Sequence, residues 1–427
     1  MTPRTERRRR AARLPWALLL AALAGLGAGA AEAPAQPRLV VSPEGPLRTL
    51  GEAVRRAAPG AVIVVRAGTY REPLVYVDKP LTIQGEGWPT LDGQGRGEIL
   101  SVTADSVTIR GLRFANTGVS RVEDRAALRV TEVGGCRIEG NRFEKTFFGI
   151  YLAGARDCVV RGNLLRADPT SEEATGNGIH LWTARNVLVE DNIVFGHRDG
   201  MYFEFAHYIV ARRNRSEGNL RYGLHFMFAD DCAYEQNVFR RNGAGVAVMY
   251  TRRVSMTGNR FEDNWGSAAY GLLLKEIYDP VITRNVFARN TTGLFADGAV
   301  RIQAEGNRFV DNGWAVKLMA STSEGRFARN DFIGNTFDVS TNSRTNSVDF
   351  EGNYYDGYRG YDLNRDGVGD VPHRPVRLFS LLVEQNEPAL ILLRSIFIAL
   401  LDRAEQLLPA LTPETLVDER PAMRMAS

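Results

Sequence analysis

Cysteine is scarce in this chain, with three in 427 residues, too few for a scaffold held together by many disulfides. An excess of charge of one sign is missing as well. The formal net charge is +3, and six arginines fall within the first 13 residues, so the remainder is close to neutral or slightly acidic. A nucleic-acid partner is therefore not implied. The central part of the chain also lacks helical periodicity, which excludes a helix bundle.

What the centre has instead is a repeat. Asn141, Asn163, Asn192, Asn214, Asn237, Asn259, Asn285, Asn307, Asn330 and Asn353 are separated by 22, 29, 22, 23, 22, 26, 22, 23 and 23 residues, and most stand two residues before an aromatic or aliphatic side chain. A period in the low twenties with short alternating runs predicts a solenoid of β-coils. Five and three residues before each Asn come inward positions such as Cys136 and Ile138, Cys158 and Val160, Val187 and Val189. Two residues after it comes the Phe143, Phe239, Phe261, Phe287, Phe309, Phe332 column, expected to stack along the axis at roughly 4.8 Å. The Asn at the corner is expected to take left-handed backbone and to bond its own copy one rung away. A third strand begins at a small residue, as in Gly178-Ile179-His180-Leu181 and Gly223-Leu224-His225-Phe226. Three strands in a turn of about 22 residues predict a right-handed parallel β-helix over residues 38–355.

The same ruler places the cysteines. Cys136, Cys158 and Cys232 share one inward column. The strand spacing between in-register neighbours exceeds the roughly 3.8 Å between Cβ atoms that a disulfide favours, so small buried core residues are expected rather than a bridge or a metal site.

In the third strand, the positions two and four after the small residue face outward. The first column reads Tyr151, His180, Tyr202, His225, Ala247, Leu273, Phe295, and the second Ala153, Trp182, Glu204, Met227, Met249, Lys275, Asp297. A solvent-facing strand normally carries Lys, Thr, Ser and Glu, so Tyr151, Trp182, Tyr202 and Glu204 are expected to belong to an interaction surface. Insertions at 168–178 and 265–270 fall at one corner beside it, as walls of a binding face. Two uses fit such a stripe. It can dock another protein, Met being common on adaptable interfaces, or it can hold a metal. His180, His225, Met227 and Met249 are the candidate copper contacts, although His180 and His225 lie about 9.6 Å apart by strand spacing, too far to share one ion without a third group or a shift. His225, Met227 and Met249 are closer, and imidazole with thioether suits Cu(I). His197 stands where other rungs carry a second Asn and is expected to bond at the corner. Carbohydrate chemistry, the rival use of a β-helix, needs paired carboxylates. Asp230-Asp231 aligns with turns in other rungs, and Glu204 has no carboxylate on the adjoining ones. The arginine doublets Arg212-Arg213, Arg240-Arg241 and Arg252-Arg253 read as a solvated edge or an acidic partner's contact.

The ends differ from the middle. Residues 1–35, with their arginines, an apolar run from Leu14 to Ala31 and alanines at 31, 33 and 35, read as a secretory signal peptide. Leu47 to Tyr70 holds a short amphipathic helix with Leu50, Ala53, Val54 and Ala57 on one face, expected to cap the solenoid. Residues 356–427 form an extension. Within it Asp362, Asn364, Asp366 and Asp370 follow the spacing of a calcium loop, but His373 occupies the position where a bidentate Glu is wanted. Pro388 to Pro409 reads as one apolar helix too short to cross a bilayer. Through Leu392, Ile396, Phe397 and Leu400 it can lie on a membrane or in a partner's groove, or fold back over the last rung.

Several of these segments together resemble the NosD family, the periplasmic maturation factors of nitrous oxide reductase. The generic part is the opening segment, Ile83-Gln84-Gly85-Glu86-Gly87 and the Asn-x-Phe rungs, shared with sugar-acting β-helices. The specific part is Gly352-Asn353-Tyr354-Tyr355-Asp356, Asp362 to Asp370, Val371-Pro372-His373-Arg374-Pro375, the apolar helix, and Leu411-Thr412-Pro413-Glu414-Thr415-Leu416-Val417. The resemblance implies a non-enzymatic periplasmic subunit standing on an ABC transporter with a permease and a cytoplasmic ATPase. It implies that the terminal helix docks into the permease, and that the solenoid receives a copper-chaperone lipoprotein and then the apo-reductase. The family carries no catalytic motif to transfer.

Overall fold

Strands Arg137–Glu139, Arg142–Glu144 and Phe148–Ala153 follow one another around a single turn. Each pairs in parallel with its counterpart one rung later, in Val159–Arg161, Leu164–Arg166 and Ile179–Trp182. The computed structural model describes residues 37–168, 171–266, 269–343, 347–393, 395–407 and 415–425. Among them this pairing repeats into three parallel sheets of 14, 13 and 12 strands, each ordered strictly by rung. The architecture is the expected right-handed parallel β-helix. The expected signal peptide lies outside the described residues.

Inward side chains fill the interior column by column. Phe261, Phe287, Phe309 and Phe332 are fully buried, and their rings stack at 4.7, 4.7 and 5.1 Å. The asparagines form a second column. Asn259 Nδ2 donates to Asn285 Oδ1 at 3.0 Å and to the Tyr234 carbonyl at 2.9 Å, while Asn259 Oδ1 accepts from Asn237 Nδ2 and its backbone N–H. The left-handed residue of this corner is the one before the Asn, as in Gly140, Arg213 and Gln236. Asn is there because a buried corner needs a side chain that both donates and accepts. The small residue opening the third strand is explained by close approach. A Cβ at Gly223 would meet the Gly245 carbonyl oxygen at 2.6 Å and Asn242 Nδ2 at 2.7 Å.

One further expectation about this core is corrected. Cys136 and Cys158 form a disulfide across adjacent rungs, with Cα atoms 4.6 Å apart. In-register strands bring Cα atoms near enough for the thiols to turn toward each other. Cys232 alone is free and buried, its thiol pushed up to about 12 by burial.

Both ends are closed. At the N-terminal side, helix α1 (Leu50–Arg56) buries Leu50, Ala53 and Val54, and Glu72 accepts the Leu50 and Gly51 N–H groups. At the far side the Asn column ends on Asp418. Its Oδ2 accepts from the Asn353 backbone at 3.0 Å and from Asn353 Nδ2 at 2.9 Å, and its Oδ1 accepts the Gly352 N–H at 3.1 Å. Helix α2 (Leu378–Gln385) lies against the last strand of the third sheet. The apolar segment expected as one helix is broken into a 3-10 turn, Glu387–Leu392, and helix α3 (Ile396–Leu407). The break falls where Ser395 Oγ caps the Ile398 N–H. Ile398 packs with Phe337, Phe379 and Val383, so α3 does fold back over the final rungs. Its other side stays open, with Ile396 81%, Leu400 64% and Phe397 55% exposed and Leu392 partly so. No helix among the described residues is long and apolar enough to cross a membrane.

Candidate functional site

Register places the expected outward columns on adjacent rungs. Tyr151 pairs with His180, His180 with Tyr202 and Tyr202 with His225. In the second column Trp182 pairs with Glu204, Glu204 with Met227 and Met227 with Met249. The phase of the strand is therefore as expected, but the exposure of the first column is not.

Tyr151, His180 and His225 are buried, although they lie on the outer side of the sheet. They form a file of rings. His180 stands edge-on to Tyr151 at 4.5 Å and 4.9 Å from Tyr202, and His225 is stacked on Tyr202 at 4.7 Å and tilted against Tyr222 at 4.8 Å. Neighbouring groups roof the file: Phe148 on His180, the Arg129 guanidinium on Tyr151, and Arg221 on Tyr222. The first insertion helps, because Gly176 sits directly against the Phe148 ring.

Burial sets the chemistry of the histidines. Desolvation, with Arg198 and Arg129 nearby, pulls His180 down to about 3. Desolvation with Arg221 and Arg198 pulls His225 down to about 4. Both rings are neutral at ordinary pH, and Nε2 of each is buried without a hydrogen-bond partner. Such an atom is rare in a folded interior and marks a place where something else bonds.

The second column is open. Trp182 is 43% exposed, and Glu204, Met227 and Met249 are half-buried. Tyr202 crosses between the columns: its Oη lies 3.5 Å from Met227 Sδ. His225 and Met227 are two residues apart on one strand, hence on one face, and Met249 follows in register on the next rung. A neutral imidazole and two thioethers thus lie within one small area, the donor set that a soft cation such as Cu(I) selects. His180 lies two rungs from His225 and is not part of this group.

Sequence reasoning missed a third column. Phe205, Phe228 and Tyr250, each following a second-column residue, are exposed and stack in nearly parallel planes at 5.1 and 5.2 Å. All three hold left-handed backbone with φ of 50, 53 and 56°, where Gly154 and Gly298 stand on other rungs. The signal was legible as Glu204-Phe205, Met227-Phe228 and Met249-Tyr250, since bulky residues seldom accept that conformation.

Other expected positions resolve differently. His197 is fully buried and its backbone N–H donates to Asn219 Oδ1 at 3.1 Å, so it joins the corner ladder. The calcium expectation finds no support. The loop's carboxylates are taken up by its own amides: Asp362 accepts from Asp366 and Gly367, Asp366 from Val368, and Asp370 from Leu363. Among the described residues no three His, Cys, Asp or Glu side chains gather as a metal cluster. The loop instead holds the tail, through Gly369 N–H to the Pro421 carbonyl. Asp231 is paired with Arg253, and Asp230 accepts the Arg252 N–H. The doublet arginines mostly pair within the chain: Arg212 and Arg213 on Glu190, Arg240 on Asp263, Arg241 on Glu217.

Fold and face together define a right-handed parallel β-helix with an aromatic and thioether surface along one sheet. Residues 165–360 match the family model described as "Periplasmic copper-binding protein (NosD)". The chain is 31% identical over 405 residues to the "Probable ABC transporter binding protein NosD" of Pseudomonas aeruginosa, covering 89% of this chain and 94% of that protein. It is 30% identical over 376 residues to the protein of the same name from Stutzerimonas stutzeri, covering 84% and 86%. The chain belongs to the NosD family. Solved structures add the fold alone. The family 28 exopolygalacturonase of Yersinia enterocolitica matches with TM-score 0.58 at 11% identity, over 73% of this chain and 78% of that one. The A-module of the Azotobacter vinelandii mannuronan C-5 epimerase AlgE4 matches with TM-score 0.50 at 15% identity, over 69% and 87%.

Proposed function

We propose that this protein is the periplasmic component of an ABC-transporter complex that supports assembly of the copper-sulfur site of nitrous oxide reductase. It serves as a docking scaffold and accepts Cu(I) at His225, Met227 and Met249 before meeting the apo-reductase, the copper arriving on a chaperone lipoprotein. Residues 1–35 direct export, residues 38–355 form the scaffold, and residues 356–427 hold it to the permease at the inner membrane. ATP hydrolysis belongs to the cytoplasmic partner, and this chain does no catalysis.

The observation that carries the reading is the in-register Met227–Met249 pair beside an imidazole whose Nε2 is buried, neutral and unpartnered. The names of the relatives support a transporter partner. The open face of α3, with Ile396, Phe397 and Leu400, supports a hydrophobic groove as its seat. A polysaccharide-cleaving role is less well supported, because Asp230 and Asp231 are taken up by Arg252 and Arg253.

Two measurements test this. Cu(I) affinity is read anaerobically by competition with bathocuproine disulfonate. His225→Ala combined with Met227→Leu should weaken it about tenfold or more, and an unchanged affinity would sink the acceptor role. Docking is read by co-purification with membranes carrying the permease. Deleting residues 388–427 would also remove Asp418 from the end of the Asn column, so the test uses Ile396→Ser with Phe397→Ser. Retention at the wild-type level would exclude α3 as the seat.

A further inference from the structure

The second column contains a contact that a mere acceptor site does not require. Tyr202 has its ring in the buried file, between His180 and His225, yet its hydroxyl reaches across to the sulfur of Met227 on the next rung. The O–H engages one of the two lone pairs that a thioether can offer to Cu(I). Met249, one rung on, has no such bond among the described residues.

We propose that Tyr202 is a latch on Met227: its O–H···S bond keeps that thioether occupied until copper arrives, and release of the hydroxyl accompanies binding. This rests on the copper-acceptor reading above. The phenol remains a donor throughout, because burial and then the Glu204 carboxylate raise it further above the usual tyrosine range. Glu204, in register with Met227, is already a hydrogen-bonding neighbour of the phenol, and it is the acceptor that keeps the hydroxyl when the ion takes Met227. The latch makes capture sequential, with Met249 meeting the ion first and Met227 closing on it second. It also lowers the holding strength of the site, which suits a component that must pass its copper on.

The test compares wild type, Tyr202→Phe, Met227→Leu and the double variant by anaerobic Cu(I) competition with bathocuproine disulfonate. Phe keeps the ring stack and deletes only the hydroxyl. Net hydrogen-bond values convert to an expected gain in affinity of about two- to tenfold for Tyr202→Phe. Adding the same change to Met227→Leu should give no gain. Equal or weaker binding by Tyr202→Phe, with Met227→Leu still impaired, overturns the latch and leaves the acceptor standing. Undiminished binding by Met227→Leu overturns the acceptor, and the latch with it. A second readout comes from methyl-labelled methionine NMR of the copper-free protein. Tyr202→Phe should shift the Met227 methyl resonance and leave that of Met256, buried in the core, in place; an unmoved Met227 signal also overturns the latch.

Discussion

His197 shows how a single residue departs from its column and what the departure costs. The following rungs carry Asn219, Asn242, Asn264, Asn290 and Asn312 there, linked side chain to side chain except that Asn264 Oδ1 accepts from the Asn242 backbone N–H. Burial holds the His197 imidazole down at about 3, even with the Gly176 carbonyl favouring its protonated form. In the unfolded chain the same ring titrates near its ordinary value of about 6.5. Between those values the unfolded state binds the extra proton, so stability falls as pH drops through that window, by about 1.4 kcal/mol per unit well below pH 6. His197→Asn should therefore flatten the acid side of the stability profile. Urea unfolding at pH 7 and pH 4.5 checks this, and parallel losses in the two proteins would refute it. The residue scale is also where the sequence is hardest to read. That His180 and His225 face outward follows from strand alternation. That His180 is roofed depends on Phe148 and Gly176, brought over it by another rung and by a corner insertion of no repeating pattern.

At the scale of the element, the columns were legible because each is one physical requirement repeated. The Asn column needs the same side chain on every rung and the ring column an aromatic one on most, and a period announces itself. The Asn column also makes a sharp prediction. Asn259→Ala would leave Asn237 Nδ2, the Asn237 N–H and the Tyr234 carbonyl without their partner in a dry interior. At about 1–3 kcal/mol for each orphaned group, the loss should reach several kcal/mol, more than deleting an exposed surface ion pair such as Arg301 with Asp279, which water screens. Chemical denaturation of Asn259→Ala beside Arg301→Ala decides it, and comparable losses would refute the account. The disulfide is hidden at this same scale. Strand spacing does not by itself limit Cβ separation, because side chains on neighbouring strands can lean toward one another. The break before α3 was equally invisible, because an apolar run carries no mark of where it bends unless a residue such as Ser395 is recognised as a cap.

Across the whole molecule, the solenoid and its tail form one hydrogen-bonded system. Every Asn in the main column donates toward the next, so the column has a direction, and at its last member the donors need an acceptor. Asp418 supplies one from 65 residues further along the chain. Asp418→Ala should orphan the Gly352 and Asn353 N–H groups and Asn353 Nδ2. The last rungs should then fray, while hydrogen exchange at Asn214 and Asn237 stays slow. Uniform protection across both ends would refute the cap. The repeat itself does not point to this link, since Asp418 belongs to no rung and resembles none of the asparagines in its neighbourhood.

That remote acceptor has a consequence for how the protein is made. A solenoid can stack its coils in order as the chain emerges, each coil templating the next. Here the stack cannot finish on its own terms, because its final donors wait for a residue that emerges much later. A chain interrupted between Asn353 and the start of α3 would leave a raw edge for proteases, with neither α3 nor the tail in place. The fold therefore carries its own proof of completion: only a chain synthesised past α3 as far as Asp418 is sealed.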